Sequence, residues 1–130
     1  MRSCELKITT ESGEGISTFA AKATFEKGEE GDKVRYRIDG DAGELAFTDA
    51  SLTMCRRGKC GLQATFCVGQ QTQMVLGDAS LQGSIPLNTT HYFLQKDNRK
   101  ISIELCYELF AAENILTYSQ KIQLIFSEEQ

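Results

Sequence analysis

Arg56 is the residue whose position most needs a chemical explanation. It shares strand parity with Leu52 and Met54, so a regular strand would carry its guanidinium towards the interior. An unpaired charge there is very costly. The group would then require an anion: an internal carboxylate, a cluster of carbonyls at one end of the fold, or the carboxylate or phosphate head of a ligand held by two parallel hydrogen bonds. A strand that bends at its end would instead release Arg56 to water beside Arg57 and Lys59. Tyr36 and Tyr107 fall on the apolar parity of their own runs and would offer apolar bodies with hydroxyl tips. Arg56, Tyr36 and Tyr107 are therefore the candidate ligand contacts.

Other chemistry finds less support. His91 is the single histidine, which excludes a histidine-rich metal site, and Cys4, Cys55, Cys60, Cys67 and Cys106 contain no Cys-x-x-Cys pair. No metal and no cofactor are expected. Cys55 and Cys60 flank the Arg56 to Lys59 connection, within disulfide reach if the geometry allows. An odd cysteine count without framework spacing points instead to reduced thiols in a cytoplasm. His91 with Ser84 or a cysteine would be the elements of nucleophilic catalysis, yet no elbow or loop motif brings them together. Glu104 and Glu108 lie on the polar face of a strand, and Glu26, Glu29 and Glu30 crowd a turn. The glycine-rich stretches lack the ending of a phosphate loop. A non-enzymatic protein is the expectation.

Length and composition bound the rest. One domain over residues 1–130 is long enough for a sizeable core, with 41% hydrophobic and 25% charged residues. No window approaches the ~20 apolar residues of a membrane-spanning helix, and charge interrupts the residues after Met1, so neither export nor a membrane partner is expected. A net charge of −4 and the absence of Trp argue against a nucleic-acid partner.

The elements that must position these residues are strands. Ile101, Ile103, Leu105, Tyr107 and Leu109 alternate with Ser102, Glu104, Cys106 and Glu108. Beyond a short polar loop, Leu116, Tyr118, Ile122, Leu124 and Phe126 share a face that Gln120 interrupts. Similar alternation marks Cys4–Thr10, Lys33–Asp39 and the Leu62, Ala64, Phe66, Val68 run. Ile16–Glu26 is softer, but its Thr and Phe residues favour a strand. Thr72–Leu76 reads as a strand of mixed parity. Lys27–Asp32, Gly40–Gly43, Arg57–Lys59, Gly77–Ser80 and Lys96–Lys100 read as turns or loops. Pro86 marks an edge, a strand start or a bulge. About nine or ten short strands with short connections predict an all-β fold, a closed or nearly closed antiparallel up-and-down barrel.

Leu52-Thr-Met-Cys-Arg-Arg-Gly58, Phe66-Cys-Val-Gly69 with Thr72, the run from Gly83 to near Thr90, and Ile101-Ser-Ile-Glu-Leu-Cys-Tyr-Glu-Leu109 resemble the bacterial YwiB-like family. The resemblance spans roughly Leu45 to Phe126. The first third departs from it, since the family's Tyr-x-Glu is here Tyr36-Arg37-Ile38. This family is a domain of unknown function grouped with the calycins. The resemblance implies a lipocalin-like barrel of about 8–10 strands and carries no activity with it. Two functions remain open at this point. A hollow barrel would bind a small, partly apolar ligand inside it or at its mouth. A solid barrel would act as a homodimer or a protein-interaction module, with Phe110, Ile115 and Ile125 exposed on the outer parity as its interface.

Overall fold

The computed structural model describes residues 1–77 and 82–126. Ten strands follow one another: β1 (Arg2–Ser12), β2 (Gly15–Glu26), β3 (Asp32–Ile38), β4 (Asp41–Phe47), β5 (Ser51–Arg57), β6 (Gly61–Cys67), β7 (Gln71–Gly77), β8 (Gln82–Lys96), β9 (Lys100–Ala111) and β10 (Asn114–Phe126). Each pairs antiparallel with its neighbours in sequence, and β1 pairs with β10 from Cys4↔Phe126 to Ser12↔Tyr118. The sheet closes into a barrel. Closure removes the open edges that a sheet of this size would otherwise present to other chains.

Alternation decides which side chains fill it. In β9, Ile101, Ile103, Leu105, Tyr107 and Leu109 are buried while Glu104 is exposed. The soft run in β2 behaves the same way, with Ala23 and Phe25 buried and Phe19 half-buried on the inner parity. Leu6, Val34, Leu45, Leu52, Phe66, Leu87, Ile103, Leu105, Ile122 and Leu124 are wholly buried. This core occupies the middle and the lower end, the end holding the β2–β3, β4–β5, β6–β7 and β8–β9 connections.

Several local readings change. β7 alternates regularly, with Thr72 and Met74 turned inward and Gln71, Gln73 and Val75 outward. β6 ends at Cys67, and Val68 forms only an isolated bridge to Thr89. Pro86 stands inside β8, opposite Gln73 and one residue before pairing with β9 begins at Leu87↔Leu109. At that position β8 pairs with β7 alone, so the proline is not part of a ladder on both sides. The bulge lies further on, between Thr89 and His91. It reverses the parity of β8 and turns Tyr92, Leu94 and Lys96 inward. Lys96 is thus the inward end of a strand rather than part of a loop. Asp32, read as a turn residue, is 4% exposed and opens β3. Of the Gly77–Ser80 turn, the residues after Gly77 lie outside the described residues.

Two strands outrun their neighbours. Below Asn88, β8 has no β7 partner, and above Ala23, β2 has no β3 partner. The β8 overhang is sealed. The Tyr92 hydroxyl lies 2.7 Å from the Thr48 carbonyl and 3.1 Å from that of Ser51, sharing its one proton between them. Lys96 Nζ lies 2.8 Å from Asp32 Oδ2, and the Gly28 amide donates to the other carboxylate oxygen. Burial raises the Tyr92 phenol well above its usual pKa. It stays protonated and can only donate to those carbonyls. The β2 overhang, residues Gly15–Lys22, pairs only with β1.

Candidate functional site

Arg56 keeps the parity of its strand and points inward, with its side chain 22% exposed. Its Nε donates to Asp41 Oδ2 at 2.9 Å. Asp41 was hidden in the sequence as part of a turn, Gly40–Gly43, but it is the first residue of β4 and only 5% exposed. It also accepts the amides of Lys59 at 2.9 Å and Cys60 at 3.1 Å. Gly58 makes this possible: its φ is +145°, and a Cβ there would run into the Asp41 carboxylate. The Lys59 amide, the Arg56 guanidinium and the Cys60 amide together hold the Asp41 carboxyl below its usual pKa. In turn, the carboxylate raises that of Arg56. Of the three anions open to Arg56, an internal carboxylate holds its Nε. The terminal nitrogens are less engaged: one lies 3.9 Å from Asp39 Oδ2, at the edge of ion-pair range.

Around Arg56 the upper end forms a cavity of about 250 Å³. Ile8, Phe19, Ile38, Met54 and Leu62 supply its apolar walls, and Tyr36, Arg56, Thr10 and Gln120 its polar groups. Tyr36 lies on Gly43, its cross-strand partner, and tilts against Phe19 with ring centroids 5.8 Å apart. A Cβ at position 43 would meet the Tyr36 ring, so glycine is what lets the ring lie flat against β4. Burial raises the Tyr36 phenol pKa, with Arg56 opposing, and it remains a neutral hydroxyl. Gln120, the polar interruption of the β10 face, donates from Nε2 to Thr10 Oγ1 at 3.2 Å. Its buried Oε1 has no partner among the described residues. A buried acceptor left unpaired costs about 1–3 kcal/mol. A donor brought into the cavity would recover part of that.

The other candidates lie elsewhere. Tyr107 is 5% exposed, packed between Phe66 at 4.8 Å and a nearly parallel Tyr118 at 5.2 Å. It belongs to the core beneath the cavity and does not line it. Parity placed it inside, but depth along the barrel depends on the stagger of strands, which parity does not carry. Phe110 is half-buried rather than exposed and faces Ile115 across β9 and β10. Ile125 lies near the opposite end of β10, between Glu5 and Lys100. At ~3.3 Å per residue it is about 30 Å from Ile115, so the three form no single patch. His91 is exposed, with Nε2 3.8 Å from Glu104 Oε1, and the Ser84 hydroxyl donates to Gln73. These two are not brought together. The five cysteines are free thiols, Cys55 standing opposite Gln63 rather than Cys60.

Outside the gap between β2 and β3 lies a second depression of about 700 Å³, bordered by Lys22, Arg35, Arg37, Arg57, Glu5 and Glu44. It is larger, but six charged side chains rim it, whereas Arg56 is the one charged residue among those lining the smaller cavity. Tyr36 borders both spaces.

No family model matches the chain, and no curated protein does. A solved structure does: the crystal structure of the ywiB protein from Bacillus subtilis superposes with a TM-score of 0.81 over 97% of this chain and 92% of that one, at 12% identity. The two share a fold. At that identity the likeness reaches the barrel and stops short of the site, so the cavity must be judged from its own residues.

Proposed function

We propose that this chain is a non-enzymatic, YwiB-like barrel of the lipocalin-like type that binds a small, partly apolar ligand in the cavity at its upper end. The observation that carries the reading is the lining of the upper end. Apolar walls there surround a few convergent polar groups, the unpartnered Gln120 Oε1 among them, the arrangement that small-molecule sites share. A volume of about 250 Å³ suits a ligand of modest size. Its apolar body would lie against Phe19, Met54 and Leu62. An acceptor would meet the terminal nitrogens of Arg56, and a donor would meet Gln120 Oε1. Free thiols agree with a cytoplasmic setting. Exposed Glu5, Lys7, Lys22, Arg35 and Lys121 on the outer wall would be costly against lipid, which supports a protein without a membrane partner.

Native mass spectrometry of the purified chain, followed by denaturation and identification of released molecules, tests the reading. Anilinonaphthalene sulfonate, an apolar body with an anionic head, serves as a fluorescent probe. Met54→Trp and Leu62→Trp each fill the cavity, and both should abolish probe binding while far-UV circular dichroism stays unchanged. Undiminished binding in both folded variants would overturn the proposal.

A further inference from the structure

The overhang of β2 is an unused sheet edge, and we propose that a second copy of this chain adds to it, β2 against β2, about a two-fold axis through Thr18. Residues Gly15–Lys22 pair with β1 on one side and with no strand on the other. An extended edge of this kind offers a row of amides and carbonyls to another strand. Its outward side chains are open to solvent: Ile16 is 69% exposed, and Thr18, Ala20 and Lys22 on the same parity are exposed as well, while β3 continues past Tyr36 to Ile38 only beside the Lys22 end.

Side-chain parity selects the register. Paired strands of one continuous sheet must place outer residues opposite outer residues. Centring the axis on Thr18 sets Ile16 against Ala20 of the partner subunit, where a large apolar side chain meets a small one. It also sets Lys22 against Glu14 of the partner subunit, once at each end of the pairing. Glu14 lies in the turn just before the strand, and Lys22 has Glu5 as its cross-strand neighbour on β1. Among the described residues neither Glu14 nor Lys22 is within ion-pair distance of an opposite charge. Centring on Phe19 would instead put Ile16 opposite Lys22, with no charge match. Because the same segment serves both copies, the contact is closed and stops at two chains rather than growing into a filament. The contact has a consequence for the cavity. Ser17, Thr18 and Phe19 border it, so the partner's strand would wall its open side.

Size-exclusion chromatography with light scattering on the full chain, over a range of concentrations, reads the association. Twice the chain mass is expected, falling to one on dilution. Lys22→Glu places like charges at both ends of the pairing and should weaken the dimer by about tenfold. The exchange of both charges, Glu14→Lys with Lys22→Glu, should restore it, a rescue that simple damage to the fold would not give. Thr18→Cys should yield a disulfide-linked dimer that wild type does not form, because the two cysteines would face each other directly. A wild type that is monomeric at every concentration overturns the proposal, as does a dimer indifferent to Lys22→Glu. Association that persists without the charge rescue or the Thr18→Cys link also overturns it, because the contact then lies elsewhere on the surface.

Discussion

β2 and β8 each run past the strand beside them for the same length, Gly15–Lys22 in one and Thr89–Lys96 in the other, yet the two overhangs are treated differently. The β8 overhang sends Tyr92 and Lys96 across the barrel to carbonyls of the β4–β5 connection and to the start of β3. It closes the lower end with a half-buried Tyr92 and with Lys96, whose ammonium reaches the buried Asp32 from a partly exposed position. The β2 overhang sends Phe19 only as far as Tyr36 and leaves a cavity behind it. A strand that is not needed to finish the core is available to bound a site. The lesson is that the closure of a barrel's sheet and the closure of its interior are separate matters, and this chain completes the second at one end only.

The comparison predicts an order of effects. Tyr92→Ala removes both the aromatic body and the hydroxyl seal, and should cost about 3 kcal/mol in denaturant unfolding. Phe19→Ala, a similar truncation on the open overhang, should cost clearly less. Equal losses would break the contrast between the ends. Lys96→Met leaves Asp32 buried without its cation; because the lysine is 45% exposed, about 1–2 kcal/mol is expected, well below the loss for a fully buried pair. Tyr92→Phe, which removes only the hydroxyl, should cost about 1 kcal/mol. Smallest in energy but most direct, amide hydrogen exchange should be faster on the unpaired side of Gly15–Lys22 than in Tyr92–Lys96.

A pH series sharpens the upper end. Asp41 has a folded pKa below its usual 3.8, so its contribution to stability is complete above that value and is lost as pH falls towards the folded one. Thermal unfolding from pH 6 to pH 3 should show the wild type falling steeply at the acid end. Asp41→Asn should begin lower at pH 6 and fall less steeply. Parallel curves would mean that the carboxylate's link to Lys59, Arg56 and Cys60 contributes little to folding.

Strand periodicity made most of the barrel legible in the sequence. β3, β9 and β10 alternate apolar and polar residues almost without interruption, and short connections forced an up-and-down path. For Arg56 alternation left two directions open, the interior or water beside Arg57 and Lys59, and the strand decides between them by keeping its parity to Arg56. Its partner was not legible, because Asp41 follows Gly40 and carries the local signature of a turn. Asp32 was concealed in the same way by the glycines and glutamates before it. Lys96 was concealed by the bulge at Thr89–His91, since one extra residue reverses every inward assignment after it. The cavity combines residues from six strands, and its existence depends on how far each strand runs, which alternation does not record.

The pairing of β1 with β10 also sets a timetable. Thr10 and Gln120 are hydrogen-bonded although 110 positions separate them, so β1 has only β2 beside it until the last strand has left the ribosome. Contacts of such long range make for slow folding, and until they form the first and latest strands stay exposed to other nascent chains. The barrel can therefore become a barrel only after its synthesis has reached β10, and its greatest risk of misassembly falls in the interval before that.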